Sequence, residues 1–345
     1  MKNINVAILG FGLSGSTFHA PLISSISGLN LTHVLSRQVD KINQLYPQVT
    51  VVQDIEQILS NPNIDLVVNT LPNPQHYTIT KQCLLAGKHV IVEKPFVTEI
   101  IHGEELVDLA QQNNLLLSVY HNRRWDNGFI TLKKQLPQLG DIYLYEAYFD
   151  RYRPEVNFAK WREQDILGSG VLFDLGSHLI DQALSLFGMP IKIHADLAKQ
   201  RPNAKSHDYF LLTMIYDNLR VILGSHSVCA APRPIVAAYG TNGSYVKHGL
   251  DPQEAMLRNM LTPSIAEYGI ENIEQAGTHT SSHEGILTST SIPSEKGCYK
   301  EYYQKIYDAL TSSTNNPVSA SEGLNIIRII NAALDSHNQQ IVITL

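Results

Sequence analysis

The sequence predicts an α/β domain built on a doubly wound parallel sheet, followed by an α+β domain with a large open, mostly antiparallel sheet. In residues 1–121 near-continuous apolar runs alternate with helical segments, which is typical of a parallel sheet covered on both faces. In residues 122–345 several strand-like runs follow one another without helices between them, which favours antiparallel pairing. The length of 345 residues fits two domains, which we place at 1–121 and 122–345.

Each predicted element follows from apolar periodicity or from a turn signal. In the first domain strands are predicted at 6–9, 31–35, 49–52, 65–69, 89–92 and 115–119, with helices at 16–24, 75–86 and 99–112. In the second domain strands are predicted at 142–149, 191–197, 209–216, 220–226 and 236–239, with helices at 167–186, 299–310 and 321–336. Asn242-Gly243 predicts a hairpin turn between residues 237–240 and 244–247, whereas the polar residues 262–294 are predicted to be rich in loops.

The composition argues against several classes of protein. Lys and Arg number 26 against 32 Asp and Glu, and the net charge of −6 argues against a nucleic-acid partner. No run approaches the ~18 consecutive apolar residues of a membrane span, and the first residues lack a signal-peptide pattern. The three cysteines, Cys83, Cys229 and Cys298, lie far apart and fit reduced thiols. We therefore expect a cytoplasmic protein without a membrane partner.

A glycine-rich motif follows the first predicted strand and comes before a predicted helix. It matches G-x-G-x-x-G, and this context predicts dinucleotide binding by Gly10, Phe11, Gly12, Leu13, Ser14 and Gly15. Gly10 would permit a tight turn, Gly12 would leave room for a pyrophosphate, and Gly15 would let the helix pack closely on the sheet. The helix N-terminus would offer unpaired N–H groups to the phosphates. The alternative is an ordinary glycine-rich turn between a strand and a helix.

The end of the second strand bears on the choice between the two nicotinamide dinucleotides. A site for NAD usually has an acidic residue there, which binds the ribose 2′-hydroxyl. This chain has Ser36 and Arg37 instead, and the first acid is Asp40. An arginine can bind a 2′-phosphate through two hydrogen bonds, so we predict NADP, with NAD still possible. The alternative is that Arg37 is a solvated surface residue.

A lysine follows the fifth predicted strand in the sequence Glu93-Lys94-Pro95. Ligands of open α/β sheets bind beyond the carboxyl ends of the strands, so the topology places Lys94 at the site. Its ammonium could stabilise negative charge that develops on a substrate oxygen. Pro95 would restrict the backbone of Lys94 to extended geometry. The alternative is a lysine at a strand end that points into solvent.

The second domain contains an aspartate and a histidine four residues apart, Asp174 and His178, within a predicted helix. This spacing on an α-helix places both side chains on one face. A histidine that titrates near neutrality is suited to accept the proton of a hydroxyl, and Asp174 could orient it or bind a substrate hydroxyl. The alternative is an aspartate favoured by the helix dipole beside a packed histidine.

These motifs together resemble those of the glucose–fructose oxidoreductase / inositol dehydrogenase (Gfo/Idh/MocA) family, over essentially the whole chain. Within that family the chain is most similar to NADP-dependent scyllo-inositol dehydrogenases, through residues 10–22, 121–126 and 150–154. The resemblance implies a Rossmann domain and a C-terminal domain whose large sheet commonly forms the interface of a homodimer or homotetramer. It also implies that Lys94, Asp174 and His178 are the catalytic residues, and it leaves open which of the last two accepts the proton.

The resemblance adds further candidates around these motifs. The segment after the fourth strand lines the nicotinamide ribose in relatives, so the predicted cofactor contacts include Thr70, Pro72, Asn73, His76, Glu93 and Lys94. Arg124, Arg153 and Trp161 are predicted to bind substrate, since arginines donate to hydroxyls and an indole can pack on a sugar ring. They could equally serve interdomain packing, and His76 could simply begin a helix.

No metal site is predicted. His279 and His283 have a spacing of four residues, but their Ser and Thr neighbours indicate a loop, and no matching set of ligands lies nearby. The chain is therefore expected to be an NADP(H)-dependent oxidoreductase that acts on a secondary alcohol or ketone of a cyclic polyol or sugar. The alternatives are the same chemistry on another sugar, a dihydrodiol or a ketone, and a non-catalytic NADP-binding regulator.

Overall fold

The computed structural model describes residues 2–312 and 314–345. Within them lie fifteen strands: β1 Ile4–Leu9, β2 Leu29–Leu35, β3 Thr50–Val52, β4 Leu66–Asn69, β5 His89–Val92, β6 Leu117–Val119, β7 Ile142–Tyr148, β8 Lys192–Ala198, β9 Tyr209–Ile215, β10 Arg220–His226, β11 Val236–Gly240, β12 Gly243–Lys247, β13 Gly277–His283, β14 Ile286–Ile292 and β15 Ile343–Thr344. The α-helices are α1 Ala20–Ile23, α2 Val39–Leu45, α3 Glu56–Leu59, α4 His76–Leu85, α5 Ile100–Gln112, α6 Asn127–Gln135, α7 Ser177–Phe187, α8 Gln253–Arg258, α9 Lys300–Ser312 and α10 Ala320–Gln339.

The chain divides into two compact units that are interleaved in sequence. The first comprises Met1–Asn122, Gln253–Gly269 and Cys298–Leu324, and the second comprises Arg123–Pro252, Ile270–Gly297 and Asn325–Leu345. The segments around α8 and α9 thus group with the first unit, although they come much later in the chain.

The first unit contains a six-stranded parallel sheet in the order β3-β2-β1-β4-β5-β6. The strands β1, β4 and β5 are almost continuously buried, as expected for a parallel sheet covered on both faces. The strand order changes direction between β1 and β4, which is where open α/β sheets bind ligands. This confirms the predicted doubly wound domain.

The second unit contains a nine-stranded sheet in the order β14-β13-β12-β11-β7-β10-β9-β8-β15. The central pair β7 and β10 is parallel, and the other neighbours are antiparallel. The large, mostly antiparallel sheet predicted from the sequence is therefore confirmed. The predicted hairpin around Asn242-Gly243 also forms, with Gly240 paired to Gly243.

One prediction of local structure was wrong. Residues 262–294, predicted to be rich in loops, contain the antiparallel hairpin of β13 and β14. Its strands are rich in Thr and Ser and face water, so they lack the apolar alternation on which the prediction relied. Glu284 and Gly285 both have positive φ, which is the signature of a two-residue hairpin turn.

The helix predicted at residues 16–24 forms, but its first turn is not α-helical. The chain first forms a π-helical turn, Gly15–His19, and α1 follows only from Ala20 to Ile23. Single π-helical turns occur often at functional sites, and periodicity does not distinguish them from an α-helix. Elsewhere among residues 2–312 and 314–345, no helix has the length and apolar character needed to cross a membrane.

Candidate active site

The glycine loop connects β1 to the π-helical turn, and its geometry fits a dinucleotide. Gly10 has a φ of +94°, a conformation that L side chains rarely adopt. A Cβ at Gly12 would have no atom within 4 Å, so its backbone is open to an approaching phosphate. A Cβ at Gly15 would lie 2.3 Å from the carbonyl oxygen of Gly10, so only glycine permits this close turn. Leu13 is largely exposed, as is expected of a residue in an open loop.

The segment after β4 holds this loop in place. The Thr70 hydroxyl lies 2.9 Å from the carbonyl oxygen of Leu9 and 3.0 Å from that of Gly10. Thr70 therefore fastens the glycine loop to β4. Pro72 is exposed, and the buried Asn73 begins a 3-10 turn that leads into α4.

His76, the first residue of α4, is buried among backbone carbonyls. Its Nδ1 lies 2.8 Å from the carbonyl oxygen of Pro95, and its Nε2 lies 2.9 Å from that of Leu71. Burial lowers the pKa of His76, although both carbonyls oppose this shift. The ring thus joins the segment after β4 to the residue that follows Lys94. His76 also begins α4, whereas its contact with the cofactor stays a prediction.

The end of β2 presents cations next to the glycine loop. Arg37 is exposed, while the Ser36 hydroxyl accepts a hydrogen bond of 3.0 Å from the Gln38 backbone. The Gln38 amide donates to the carbonyl of Phe11 at 3.0 Å, which ties this turn to the loop. The ammonium of Lys41 lies 5.8 Å from the centre of the Phe11 ring. No role was predicted for Lys41 from the sequence, because a lone lysine in an amphipathic helix carries no specific signal.

Glu93 and Lys94 follow directly after β5, as predicted. The Glu93 carboxylate accepts hydrogen bonds from the Ser14 hydroxyl and, at 3.0 Å, from the Lys94 backbone N–H. His19 Nε2 lies 2.9 Å from the same carboxylate. Burial raises the pKa of Glu93, but hydrogen bonds from His19 and Ser14 and the charges of His19 and Lys94 outweigh it and lower the pKa to about 2. The Lys94–Pro95 peptide bond is cis.

His19 had no predicted role, although it lies at the centre of these contacts. It is fully buried at the end of the π-helical turn, and its Nδ1 lies 2.5 Å from the hydroxyl of Tyr303 in α9. Its position in a run of apolar and small residues was the available signal for burial. The sequence around His19 does not predict its partners, because Glu93 lies 74 residues away and Tyr303 lies 284 residues away.

In the second unit, Asp174 and His178 lie at the start of α7, but not in the predicted geometry. Asp174 belongs to a π-helical turn, Leu172–Gly176, and His178 to the α-helix that follows. The spacing of four residues therefore spans a change of helix type, and the α-helical alignment assumed from the sequence does not apply. His178 is buried at 6% exposure, and its ring packs edge-on against Phe149.

Asp174 forms an ion pair with Arg162, whose Nε lies 3.2 Å from the carboxylate. The guanidinium of Arg162 also lies 4.7 Å from the centre of the Trp161 ring. Trp161, a predicted substrate residue, is thereby placed next to the predicted catalytic aspartate through Arg162. No role was predicted for Arg162 from the sequence, since its pairing with a residue twelve positions later is decided by the fold.

The two predicted substrate arginines have different surroundings. Arg124 forms a two-pronged ion pair with the buried Asp181 of α7, with distances from 2.6 to 3.1 Å. Both residues belong to the second unit, so this contact is not the interdomain packing that the sequence left open. The side chain of Arg153 is exposed, while its carbonyl accepts a hydrogen bond of 3.2 Å from the buried Arg201. Whether either arginine contacts substrate stays a prediction.

The histidines that suggested a metal lie in a strand and not in a loop. His279 and His283 both belong to β13, and His279 Nδ1 lies 2.9 Å from the amide oxygen of Gln135. Across the part of the chain that the structure describes, no group of three His, Cys, Asp or Glu side chains is arranged to hold a metal ion.

The fold and the loop together define the class of protein. A parallel sheet with this strand order, and a first glycine loop whose backbone is open at Gly12, is the architecture of a dinucleotide-binding domain. Residues 4–121 match the family model described as an oxidoreductase family with an NAD-binding Rossmann fold, and residues 133–345 match that family's C-terminal alpha/beta domain. The chain therefore belongs to the Gfo/Idh/MocA family, and it is an oxidoreductase.

Three relatives show how far the similarity extends. The chain is 41% identical to scyllo-inositol 2-dehydrogenase (NADP(+)) IolW of Bacillus subtilis, over 100% of this chain and 97% of that protein. The solved structure of YvaA from Bacillus subtilis superposes with a TM-score of 0.97 at 41% identity, covering 100% of this chain and 99% of the other. D-glucoside 3-dehydrogenase of Escherichia coli is 28% identical over 54% of this chain and 55% of its own length.

Proposed function

We propose that this protein is an NADP(H)-dependent oxidoreductase that interconverts a secondary alcohol and a ketone on a cyclic polyol, of the scyllo-inositol and 2-keto-inositol type. The observation that carries this proposal is the full-length similarity, at 41% identity, to a protein named as an NADP-dependent scyllo-inositol 2-dehydrogenase. The presence of Lys94, Asp174 and His178 supports a catalytic role over a purely regulatory one.

The nucleotide would be held by the glycine loop and by the end of β2. The open backbone at Gly12 and the exposed guanidinium of Arg37 suit a pyrophosphate and a 2′-phosphate, respectively. Ser36 and Lys41 lie within four residues of Arg37 and add a hydroxyl and a second cation to this end of the sheet. When bound, the nicotinamide would accept or return the hydride.

The remaining chemistry would be done by side chains of the protein. Lys94 carries an ammonium that would hydrogen-bond the substrate oxygen and stabilise negative charge on it. His178 would take the hydroxyl proton during oxidation and return it during reduction, since an imidazole exchanges protons near neutral pH. Asp174, already paired with Arg162, would remain an acceptor for the imidazole or for a substrate hydroxyl.

A second candidate is the same reaction on another sugar. It is favoured by the similarity to a protein named D-glucoside 3-dehydrogenase, which covers about half of the chain. One family fold supports several substrates, because the side chains lining the pocket and not the fold decide which ring is accepted.

Steady-state assays with both dinucleotides would test these proposals. Purified full-length protein is offered scyllo-inositol, myo-inositol, glucosides, free sugars and aromatic dihydrodiols, and formation of reduced nicotinamide is followed by absorbance. We expect the highest kcat/KM with an inositol and NADP. A higher kcat/KM with a glucoside would favour the second candidate. Binding of NADPH without turnover of any alcohol, or of the matching ketones, would contradict an enzymatic role.

A further inference from the structure

A buried chain of polar side chains links α9 to the glycine loop and to the end of β5. We name its members Ser14, His19, Glu93 and Tyr303 the Glu93 cluster. The Tyr303 hydroxyl lies 2.5 Å from His19 Nδ1, and His19 Nε2 lies 2.9 Å from Glu93 Oε1. The Ser14 hydroxyl donates to the same carboxylate oxygen. The cluster thus joins three elements of the first unit.

The surroundings of Glu93 make its donors indispensable. His19 and Tyr303 are fully buried, and the Glu93 side chain is 13% exposed. A carboxylate with so little access to water stays ionised only if hydrogen bonds and positive charge replace the lost hydration. Without these donors, burial would raise the pKa of Glu93 above its ordinary value.

The direction of the hydrogen bonds follows from the chemistry of the partners. An ionised carboxylate only accepts, so His19 Nε2 must carry a proton. When Nε2 alone carries a proton, Nδ1 accepts from the Tyr303 hydroxyl. Burial raises the pKa of Tyr303 well above its ordinary value, so this hydroxyl keeps its proton and can donate. The ring of Tyr120, 4.2 Å from that of His19, packs beside it and limits its rotation.

The second oxygen of Glu93 reaches the predicted catalytic lysine. Glu93 Oε2 accepts the backbone N–H of Lys94 at 3.0 Å, while Oε1 is bound to Ser14 of the glycine loop. One carboxylate therefore fixes both the loop that would receive the pyrophosphate and the main chain from which the Lys94 side chain extends. The titratable and charged groups that act on Glu93 are His19 from the π-helical turn, Lys94 after β5, His76 from α4, Tyr120 after β6 and Tyr303 from α9.

We propose that His19, oriented by Tyr303, is a positioning residue that keeps Glu93 ionised and thereby couples the geometry of the glycine loop to that of Lys94. Its importance for turnover rests on the proposed function, because Lys94 is the residue that it positions. Its effect on Glu93 does not depend on that function. The two parts can therefore be tested separately.

The test compares four variants of the full-length protein. His19→Leu removes the donor to Glu93, whereas His19→Gln keeps an amide N–H at about the reach of Nε2. Tyr303→Phe deletes one hydroxyl and leaves the ring in place. Tyr302→Phe is the matched control, because it removes an equally buried hydroxyl from the same helix, one that lies 2.8 Å from the Ser118 hydroxyl and outside the Glu93 cluster.

The first readout is the pH dependence of NADPH binding, measured by fluorescence titration between pH 5 and 9. In the wild type Glu93 is ionised throughout this range, so its protonation adds no change in affinity. In His19→Leu the pKa of the carboxyl rises, and we expect the affinity for NADPH to fall as the pH drops below this new pKa, by at most about tenfold per pH unit. His19→Gln should restore the wild-type profile, Tyr303→Phe should show a smaller shift, and Tyr302→Phe should show none.

The second readout is urea unfolding of the apoprotein against pH, which needs neither cofactor nor substrate. The pKa of Glu93 is lower in the folded than in the unfolded chain, so its contribution to stability is complete above about pH 4.5 and is lost as the pH falls towards 2. In His19→Leu burial would place the folded-state pKa of Glu93 above its unfolded value, so the sign reverses: the contribution of Glu93 to stability should be complete below the unfolded pKa and be lost as the pH rises through the new pKa. If His19→Leu does not fold, the unfolding curves of Tyr303→Phe test the proposal instead. This variant removes only a hydroxyl and leaves the ring in place.

Turnover forms the third readout, measured as kcat and KM with the substrate found in the assays above. We expect kcat in His19→Leu to fall about 100-fold through misplacement of Lys94, with partial rescue in His19→Gln. Identical pH profiles in His19→Leu and the wild type would overturn the proposal, as would equal defects in the Leu and Gln variants. A protein that binds NADPH as expected but oxidises no alcohol would refute the proposed function and leave the first two readouts decisive.

Discussion

At the end of β2, a single side chain bears on which dinucleotide the protein accepts. Arg37 is exposed, and the nearest acid along the chain, Asp40, comes three residues later. A guanidinium binds a phosphate strongly, whereas a carboxylate at this place would bind a ribose 2′-hydroxyl and repel the phosphate. The cofactor preference is therefore a property that one substitution can test.

Arg37→Asp should reverse this preference. We expect the affinity for NADP to fall about 100-fold, since a charge-assisted contact of about 1.5–3 kcal/mol is lost and repulsion is added, while NAD binding is kept or improved. Fluorescence titration with both reduced dinucleotides measures the ratio. Lys192→Asp, the same change of charge on the exposed start of β8, is the control. An unchanged ratio in Arg37→Asp would show that Arg37 is only a surface residue.

Lys94 has a sharper test, because its proposed role is in turnover. Lys94→Ala should lower kcat by about 10²–10⁴-fold, the range typical of a lost group that stabilises charge or transfers a proton. Lys94→Arg, which keeps the positive charge with a different shape, should recover only part of this loss. Stopped-flow assays give kcat, and fluorescence titration should show nearly unchanged NADPH affinity. Full turnover in Lys94→Ala would remove the assigned role.

Residues of the site differ in how well the sequence predicts them. Lys94 could be predicted because it directly follows a recognisable buried strand, and topology places strand ends at a ligand site. Two ion pairs could not be predicted from the sequence, that of Arg124 with Asp181 and that of Arg162 with Asp174. The pairing of side chains that are separated in the chain depends on how the loops and helices that carry them pack.

At the scale of elements, the turn after β1 contains two glycines that are needed for different reasons. Gly15 is required by packing, since any Cβ there would meet the carbonyl oxygen of Gly10 at 2.3 Å. Gly12 has open space around it, so the protein itself does not require glycine there. The requirement at Gly12 would come from the cofactor, whose phosphates need to approach the backbone.

Alanine at each glycine should separate stability from binding. Gly15→Ala should lower the free energy of unfolding by about 1–3 kcal/mol through overpacking, as measured by urea titration of the apoprotein. Gly12→Ala should leave that free energy within about 0.5 kcal/mol of the wild type. It should nevertheless weaken NADPH binding by about tenfold or more, which corresponds to ~1.4 kcal/mol. Equal stability losses in both variants would contradict this division of roles.

The sequence predicted those helices and strands whose apolar residues recur with a regular spacing along the chain. Strands β1, β4 and β5 stand out as apolar runs because both of their faces are buried. The hairpin of β13 and β14 was missed because its polar residues face water, and the π-helical turns were missed because their apolar spacing resembles that of α-helices.

At the scale of the whole molecule, the large sheet has one face with partly exposed apolar residues. On β9 the side chains of Phe210, Leu212 and Met214 are fully buried, while Leu211 and Ile215 between them are only partly covered. Thr213 on the same face pairs with Ile222 of β10, which is also partly exposed. Such a face is suited to association with a second copy of the chain.

We therefore predict that the protein is a homodimer or homotetramer, with this face in the interface. Light scattering coupled to gel filtration should give the mass of two or four chains. Ile222→Lys should shift the distribution towards the monomer, because it places a charge on the apolar face, whereas Gln111→Lys on the exposed side of α5 should not. A monomeric wild type would contradict the prediction.

The sequence by itself determined the succession of strands and helices, the glycine loop after β1 and the position of Lys94 at a strand end. These features depend on residues close together in the chain, whose periodicity and turn chemistry act locally. Only the tertiary structure decided that Ser14, His19, Glu93 and Tyr303 share one buried network. Hydrogen bonds between residues up to 284 positions apart leave no local pattern, and they form only when packing removes water around them.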